Sequence, residues 1–307
     1  MHLIDVSKTL VTDEQCLAFL EKMRWPDGVV RCTTCGNDKV SRITRKTKSK
    51  NKRAQVYQCL EPTCKQQFSC TSGTIFNDSH LPLNKWFLAV ALIVDAKKGM
   101  SAKQVQHHLG LKSYQTAWYL CHRIRKAMEE TGSPLTGTVE IDETYIGGKP
   151  RKGVIRKTRG EKDVVIGMRQ RGGPLRLFHT PDAKAKTVRE LVRKHISQDV
   201  EIVMTDESVI YPIAFDGYCA SKHQTIQHRR EYVRGNIHTN SIESAFSLLK
   251  RGLIGSFHQV SIRHLHRYLS EFQFRFNNRE DGNLFARTVE RMAATIGMPY
   301  RALTAKT

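Results

Sequence analysis

Three acidic residues far apart in the sequence have the residue types of a divalent-metal site. Asp142 lies in an alternating segment that predicts a β-strand, and Asp206 ends a segment, Val200–Asp206, that predicts another strand. Either aspartate alone is better explained as a capped turn or a surface residue. Together on neighbouring strands they repel each other unless they share a cation, and Mg²⁺ is commonly held by one or two carboxylates, water and phosphate oxygens. Glu143 is predicted to point to the opposite face of its strand and is the weaker candidate.

The third acid, Glu243, lies in a segment with the apolar spacing of an amphipathic helix, which Asn240 or Ser241 is expected to cap. The predicted buried stripe consists of Ile242, Phe246 and Leu249. Asn240, Glu243 and Lys250 share one side of this helix, because residues seven apart differ by about 20° around its axis. This side could carry a metal ligand beside a phosphate contact. A Glu and a Lys on a plain surface helix are the alternative.

Two close pairs of cysteines predict a zinc ribbon near the N-terminus. Cys32 and Cys35 are separated by two residues, and Cys59 and Cys64 by four. Two tight turns that each present two thiolates complete a tetrahedral site for one structural Zn²⁺. Cys70 is a rival fourth ligand that ranks below Cys64. The remaining cysteines lie in apolar-patterned segments and are expected to be small buried residues: Cys16, Cys121 and Cys219.

The chain of 307 residues is strongly basic, with 50 Lys and Arg against 29 Asp and Glu and a net charge of +21. Such an excess attracts polyanions, most commonly nucleic acid. Two segments concentrate the positive charge: Arg42–Arg53, between the cysteine pairs, and Lys149–Arg159, between two predicted strands. Each is expected either to contact DNA phosphates or to be a solvated loop.

The hydropathy of the chain favours a location away from membranes. No apolar run reaches 18 residues, and the first 20 residues have no basic region followed by an apolar core. The paired cysteines suit a reducing compartment. These features predict a cytoplasmic, nucleoid-associated protein.

Apolar residues at helical spacing predict three helices between residues 83 and 129. The first ends near Gly99, and the others are expected at Ala102–Leu109 and Tyr114–Glu129. A short helix, a glycine-containing turn and a longer helix are typical of a helix-turn-helix DNA-binding module, although a plain helical bundle would have the same pattern. Lys112–Gln115 would face base edges. Phosphate contacts are expected from basic residues later in the third helix: Arg123, Arg125 and Lys126.

These patterns predict four segments in a chain whose main domain is of the α/β class. Residues 1–79 contain the zinc ribbon at about 28–72, and residues 80–132 form the helical segment. Residues 133–282 show antiparallel strands, a helix over Ala185–His195 and a further strand, which indicate an α/β sheet. Residues 283–307 are expected to be a C-terminal tail.

The chain resembles bacterial insertion-sequence transposases of the DDE type that carry an N-terminal zinc ribbon. The resemblance rests on the four paired cysteines, on Glu140–Lys149, on Thr205–Ser208 and on His238–His258 with its continuation His264–Arg279. It covers about residues 15 to 280, and its last block is the most specific. It implies a ribonuclease H-like catalytic domain on which Asp142, Asp206 and a third ligand are gathered.

The resemblance leaves the identity of the third ligand open. Subgroups of the family differ over whether it is Glu, Asn or His. Glu243 is predicted here because it is charged and precedes Lys250 by seven residues, and Asn240 is the alternative.

The resemblance implies an activity and partners. Two Mg²⁺ or Mn²⁺ ions per active site, about 3.5–4 Å apart, would bind the attacking and leaving oxygens of an in-line displacement. Element ends would be cut, and the released 3′-hydroxyl would attack target DNA within a homodimer or larger assembly. Lys250 would contact phosphate, while His258 and Arg275 are expected to serve core packing rather than DNA. A zinc-ribbon DNA-binding protein that no longer cleaves, or a nuclease of the same fold, are the alternatives.

Overall fold

A computed structural model describes residues 1–43, 56–147, 163–226 and 238–305. Its residues divide into two compact units. The ribbon unit comprises Met1–Met128 together with Glu280–Thr307, and the sheet unit comprises Glu129–Arg279. Of the two basic segments in the sequence, Lys149–Arg159 lies entirely outside the described residues. Of Arg42–Arg53, only Arg42 and Ile43 are described.

The described residues form eleven α-helices and eight β-strands. The helices are α1 Leu3–Thr9, α2 Asp13–Arg24, α3 Leu83–Asp95, α4 Ala102–His108, α5 Tyr114–Ala127, α6 Ala185–His195, α7 Ile210–Phe215, α8 Asn240–Gly252, α9 Leu265–Asn277, α10 Leu284–Ala294 and α11 Tyr300–Thr304. The strands are β1 Val40–Ile43, β2 Val56–Cys59, β3 Gln67–Phe68, β4 Thr138–Ile146, β5 Asp163–Gln170, β6 Leu175–Thr180, β7 Ile202–Thr205 and β8 His223–Thr225. None of the helices described is long and apolar enough to cross a lipid bilayer.

The helices of the ribbon unit follow the predicted periodicity. The three helices expected between residues 83 and 129 are α3, α4 and α5, and their predicted inward residues are buried. Ser101 caps α4, because its hydroxyl accepts a hydrogen bond from the backbone N–H of Gln104 while the Gln104 side chain accepts one from the N–H of Ser101. The helix-turn-helix interpretation of these helices stays a prediction.

The predicted C-terminal tail is wrong. Residues 284–294 form α10, which packs against α2 and α3 within the ribbon unit. The ring of Phe285 is buried, with its centroid 6.0 Å from that of Phe19 and 6.1 Å from that of Phe87. Residues 280–307 therefore complete the core that the first 128 residues begin. The sequence pattern of α10 is amphipathic, but the partners of Phe285 lie 198 (Phe87) and 266 (Phe19) residues earlier and cannot be read from the local sequence.

The sheet unit contains a mixed five-stranded sheet in the order β6-β5-β4-β7-β8. β4 pairs antiparallel with β5, β5 pairs antiparallel with β6, and β4, β7 and β8 run parallel. The parallel pairs need crossover connections, which α6 and α7 occupy in the chain. This arrangement confirms the predicted α/β class, and each strand and helix predicted between residues 138 and 205 is present within two residues of its expected bounds.

Each face of the sheet is covered by its own pair of helices. One face packs on α6 and α7, with Ile141 of β4 and Tyr211 of α7 in its core. The other packs on α8 and α9, with Ile242, Phe246 and Leu249 of α8 buried as predicted. Because side chains alternate along a strand, Asp142 lies on the α8 face of β4 and Glu143 on the α7 face.

Gly167 allows α8 to approach the sheet beside Asp142. It is the antiparallel partner of Asp142 in β5, and a Cβ atom placed on it would lie 2.6 Å from the Phe246 ring and 2.7 Å from the Ile242 side chain. Any larger residue would displace the helix. The absent side chain at Gly167 thus brings the first turn of α8 close to the strand that carries Asp142.

We predict that Phe285→Ala destabilises the ribbon unit by about 3–5 kcal/mol, the usual cost of removing a fully buried aromatic ring. Denaturant unfolding of the full chain would measure the loss. Glu290→Ala, on the exposed side of the same helix, is the control and should change stability by less than about 0.5 kcal/mol. Equal effects of the two substitutions would mean that α10 is a tail after all.

Candidate active site

The three predicted acids lie on three elements of the sheet unit. Asp142 is in the middle of β4, Asp206 directly follows β7, and Glu243 is in the first turn of α8. β4 and β7 are parallel neighbours in which Glu140 pairs with Met204. Extension of that register by two residues places Asp206 beside Asp142. We call Asp142, Asp206 and Glu243 the acidic edge.

The charges of Asp206 and Glu243 act on the carboxyl of Asp142 and raise its pKa. The carboxyl of Asp142 is half-buried, and burial raises its pKa to about 7, with further increases from the negative charges of Glu143, Asp206 and Glu243. A hydrogen bond from the backbone N–H of Glu143 to Asp142 Oδ1, at 2.8 Å, partly opposes this rise. The group therefore holds more negative charge than its surroundings stabilise, which is the condition under which a cation binds.

Glu143 lies on the α7 face of β4, as predicted. The buried hydroxyl of Tyr211 donates a hydrogen bond to its carboxylate. Burial raises the pKa of Glu143, and the charge of Asp206 raises it further. Asp206 thus interacts with the acids on both faces of β4, because it lies beyond the end of its own strand.

On α8, the two candidates for the third ligand and Lys250 are all exposed. The buried Thr239 hydroxyl donates a hydrogen bond to Glu243 Oε1 at 2.8 Å, and so orients that carboxylate. Asn240 is the first residue of the helix, one turn before Glu243. The predicted common side of these residues is therefore compatible with the structure, and the choice between Glu243 and Asn240 stays a prediction.

The cap of α8 differs from the prediction. Neither Asn240 nor Ser241 caps the helix with its side chain, and the residue that precedes it is Thr239. Instead, Glu140 Oε2 accepts hydrogen bonds from the backbone N–H groups of Ser241 at 2.8 Å and Ile242 at 3.0 Å. A carboxylate from strand β4 thus satisfies the first N–H groups of the helix and lies at the positive end of its dipole.

Glu140 belongs to a buried polar cluster that the sequence analysis did not single out. Its side chain has no solvent-exposed surface, and its Oε1 accepts a hydrogen bond from Arg171 Nε at 2.7 Å. His238 Nδ1 lies 3.5 Å from the same oxygen. We call Glu140, Arg171 and His238 the Glu140 cluster. Period-2 alternation with Asp142 was the available clue, because an acid two residues from a predicted ligand shares its face of the strand.

The four predicted zinc ligands converge in the ribbon unit. The Sγ atoms of Cys32, Cys35, Cys59 and Cys64 all lie within 4.8 Å of one another. Two of their separations are 3.7 Å, for Cys32 to Cys64, and 3.6 Å, for Cys35 to Cys59. A tetrahedral site with Zn–S bonds of about 2.3 Å requires S–S separations of about 3.8 Å. The cluster therefore fits Zn²⁺.

Position rather than pKa separates the cluster cysteines from Cys70, because burial raises the pKa of Cys59 within the cluster to about 12 as well. Burial opposes ionisation of Cys32, but hydrogen bonds from the backbone N–H groups of Cys35 and Thr34 lower its pKa to about 6. Burial raises the pKa of Cys70 to about 12, and its sulfur lies near the Leu17 carbonyl rather than in the cluster. The structure places Cys64 in the four-sulfur cluster and Cys70 outside it, and Cys16, Cys121 and Cys219 are buried as expected.

Comparisons with known proteins identify the family of both units. Residues 134–277 match the family described as the ISXO2-like transposase domain, and residues 11–67 match the transposase zinc-ribbon domain. The chain is also 30% identical over 286 residues to a protein of Halobacterium salinarum described as an uncharacterized protein in transposable element ISH50. That match covers 87% of this chain and 92% of that protein. The chain belongs to the ISXO2-like transposase family.

Two of the DNA contacts predicted for this transposase are wrong. Arg123 and Arg125 are buried. The guanidinium of Arg123 donates hydrogen bonds to the carbonyls of Ile75 and Asn77 and lies over the ring of Trp86. The helical spacing puts both arginines next to the apolar side of α5, but the prediction followed their charge and placed them at the surface. The exposed start of α5, Lys112–Gln115, remains accessible as predicted.

The two basic residues predicted to serve core packing have different outcomes. Arg275 is buried on α9, where its guanidinium lies 3.3 Å from the Glu271 carboxylate, as expected. His258 is exposed and has a φ of 58°, so its assignment to the core is wrong. It ends the irregular helical turn Leu253–Phe257 that follows α8.

The three carboxylates of the acidic edge do not converge on one point as the cysteine sulfurs do. Within residues 1–43, 56–147, 163–226 and 238–305, the four-cysteine cluster is the one set of three or more metal-binding side chains whose ligand atoms all lie within 4.8 Å. The negative charges of Asp206 and Glu243 repel the ionised form of Asp142. Their donor type fits Mg²⁺ or Mn²⁺, which prefer oxygen ligands and keep several sites for water and phosphate.

We predict that Cys59→Ser removes the zinc from this transposase, whereas Cys70→Ser leaves about one zinc per chain. A thiolate lost from a four-sulfur site removes a quarter of its coordination, while Cys70 lies outside it. Metal analysis of the purified full-length variants would measure both. Loss of zinc from Cys70→Ser would contradict the ligand set.

A pH-dependent effect on stability is expected at Asp142. Between pH values of about 4 and 7 the folded protein keeps the Asp142 proton that the unfolded chain has lost, so stability falls as pH rises through this window. Above a pH of about 7 the folded carboxylate is charged and the full penalty applies. Asp142→Asn should therefore raise the Tm at pH 8 by about 2 °C or more in buffer free of Mg²⁺ and Mn²⁺, and by much less at pH 5.

The control for the pH effect is Asp182→Asn. A hydrogen bond from the Thr187 hydroxyl lowers the pKa of Asp182, so its charge stabilises the folded state and its loss should not raise the Tm. A Tm gain for Asp142→Asn that is equal at pH 5 and pH 8 would contradict the role of the Asp142 charge.

Proposed function

We propose that this transposase cuts the ends of its element and joins the released 3′-hydroxyl to target DNA, with Asp142, Asp206 and Glu243 as its divalent-metal ligands. The proposal is supported by one observation above the others. Three acids that are 64 and 37 residues apart in the sequence lie close enough for the charges of Asp206 and Glu243 to raise the pKa of Asp142. Carboxylates that repel one another do not stabilise the fold, and such a group is typical of functional sites.

In this proposal the side chains bind, orient and neutralise charge. Two Mg²⁺ or Mn²⁺ ions held by the acidic edge would supply an activated nucleophile and charge neutralisation at phosphorus. Asp142 lies on β4 and Asp206 directly follows the neighbouring strand β7. The Thr239 hydroxyl orients Glu243 by donating a hydrogen bond to its carboxylate. Lys250, two turns after Glu243 on the same side of α8, is suited to bind a neighbouring DNA phosphate as a mobile point charge.

The mixed sheet supports the finer assignment of a ribonuclease H-like fold. Its first three strands form an antiparallel meander, and the fourth and fifth add in parallel on the side of the first strand. We propose that double-stranded DNA is bound by the zinc ribbon and α4–α5, as the family and the net charge of +21 favour. A homodimer or larger assembly on the nucleoid would hold two element ends together.

A test requires purified protein, DNA with the element ends and Mg²⁺. We predict that Asp142→Asn and Asp206→Asn each lower the cleavage rate by at least about a hundredfold, because each removes a ligand of the metal ions that would neutralise charge at the reacting phosphate. DNA binding, followed by fluorescence anisotropy, should be unchanged. Glu201→Gln removes an exposed acid just before β7 and is the matched control, with wild-type cleavage expected.

Three outcomes of this assay separate the alternatives. Cleavage retained in either aspartate variant would exclude the acidic edge as the site. Cleavage without joining in a strand-transfer assay would favour a nuclease of the same fold. DNA binding by the wild-type protein without any cleavage would favour a DNA-binding descendant of a transposase.

The same assay decides the third ligand. Glu243→Gln is expected to lower cleavage as strongly as the aspartate variants, and Asn240→Ala to lower it by less. A larger loss in Asn240→Ala would assign the third ligand to Asn240.

A further inference from the structure

We propose that Glu140 and Arg171 are positioning residues that fix the spacing of the acidic edge, and so set its affinity for divalent cations. The inference rests on the proposed function. It goes beyond that function because neither residue is expected to touch the metal or the DNA. The hydrogen bonds of the Glu140 cluster connect β4, β7 and the start of α8, the three elements that carry or precede the acids.

The first connection joins β4 to α8. Glu140 and Asp142 are two residues apart in β4 and therefore lie on the same face. Glu140 Oε2 accepts hydrogen bonds from the N–H groups of Ser241 and Ile242, and Glu243 follows immediately in the chain. One carboxylate thus fixes the first turn of α8 to the strand that carries Asp142.

The second connection reaches β7 and the segment before α8. Arg171 donates from Nε to Glu140 Oε1, and its Nη2 lies 3.1 Å from Met204 Sδ. The same Nη2 donates to the His238 carbonyl at 2.9 Å. Met204 is two residues before Asp206 on β7. The planar guanidinium therefore contacts β4, β7 and the segment just before α8 at once, which the point charge of a lysine could not do.

The environment of Glu140 excludes it as a metal ligand in this arrangement. Its side chain is fully buried, and each of its oxygens accepts at least one hydrogen bond. A carboxylate so placed persists because it is paired, and replacing it with the amide of Gln turns one of its two accepting oxygens into an NH2 group that faces an N–H donor. The expected result is a shifted α8 rather than a missing ligand.

The experiment measures cation binding directly, apart from cleavage. Mn²⁺ is titrated into full-length, zinc-loaded protein and followed by electron paramagnetic resonance, with Asp142→Asn as the background. Glu140→Gln should weaken Mn²⁺ binding about ten- to hundredfold, the usual effect of losing a partner behind a metal ligand. Arg171→Lys keeps the charge but not the fork, and should give a smaller loss in the same direction.

The matched control is Glu271→Gln, which neutralises another buried acid of the sheet unit, paired with Arg275 on α9. It should bind Mn²⁺ as the wild type does, even if it lowers the Tm. Hydrogen exchange at the amides of Ser241 and Ile242 should be faster in Glu140→Gln and unchanged in Glu271→Gln. A purely structural role would alter the Tm of both variants alike and leave Mn²⁺ affinity unaffected.

The outcomes distinguish the inference from the proposed function. Wild-type Mn²⁺ affinity in folded Glu140→Gln would overturn the inference alone, and if that variant does not fold, Arg171→Lys decides in the same way. If the wild type binds no more Mn²⁺ than Asp142→Asn does, the proposed metal site itself fails, and the inference fails with it.

Discussion

A carboxylate removed entirely from water is the constraint on which the sheet unit depends. Glu140 is stable in its position only because two N–H groups of α8 and the guanidinium of Arg171 meet it. That requirement determines where the helix begins, which face of β4 it covers and how close it comes. Gly167 leaves the space that this close approach of α8 needs, because any Cβ there would collide with Ile242 and Phe246. Charge pairing and close packing therefore act on one turn of one helix.

The elements of this protein were predictable where the physics is local. Period-2 alternation identified β4, β5 and β6, and the apolar stripe of α8 was correct residue by residue. The cysteine spacings identified the zinc ligands because tight turns in the backbone set the geometry of a tetrahedral site. Asp142 and Asp206 were expected together for a chemical reason, because two acids on neighbouring strands suit a shared cation. Within these limits, sequence spacing determines three-dimensional neighbours.

The errors lie where a residue's partner is distant in the chain. Arg123 and Arg125 carry charges that are typical of a surface, yet the Arg123 guanidinium is bound by carbonyl groups and by the Trp86 ring from other segments. Glu140 was named only as the start of a motif, since nothing adjacent to it indicates that it receives a helix N-terminus 100 residues later. Propensity and periodicity depend only on residues that are close in the sequence. They cannot indicate a partner that the tertiary structure brings from a distant segment.

The division of the ribbon unit between the two parts of the chain has a consequence for synthesis. The sheet unit is an insertion: the chain leaves the ribbon unit after Met128 and returns to it at Glu280. The ends of the insertion are near each other, since Asn277 lies within hydrogen-bonding distance of Glu130, as is usual for inserted domains. On the ribosome, the sheet unit can therefore fold as a whole before α10 emerges, while the unit begun first is finished last. A nascent chain acquires its complete ribbon-unit core only after every residue of the acidic edge has already been made.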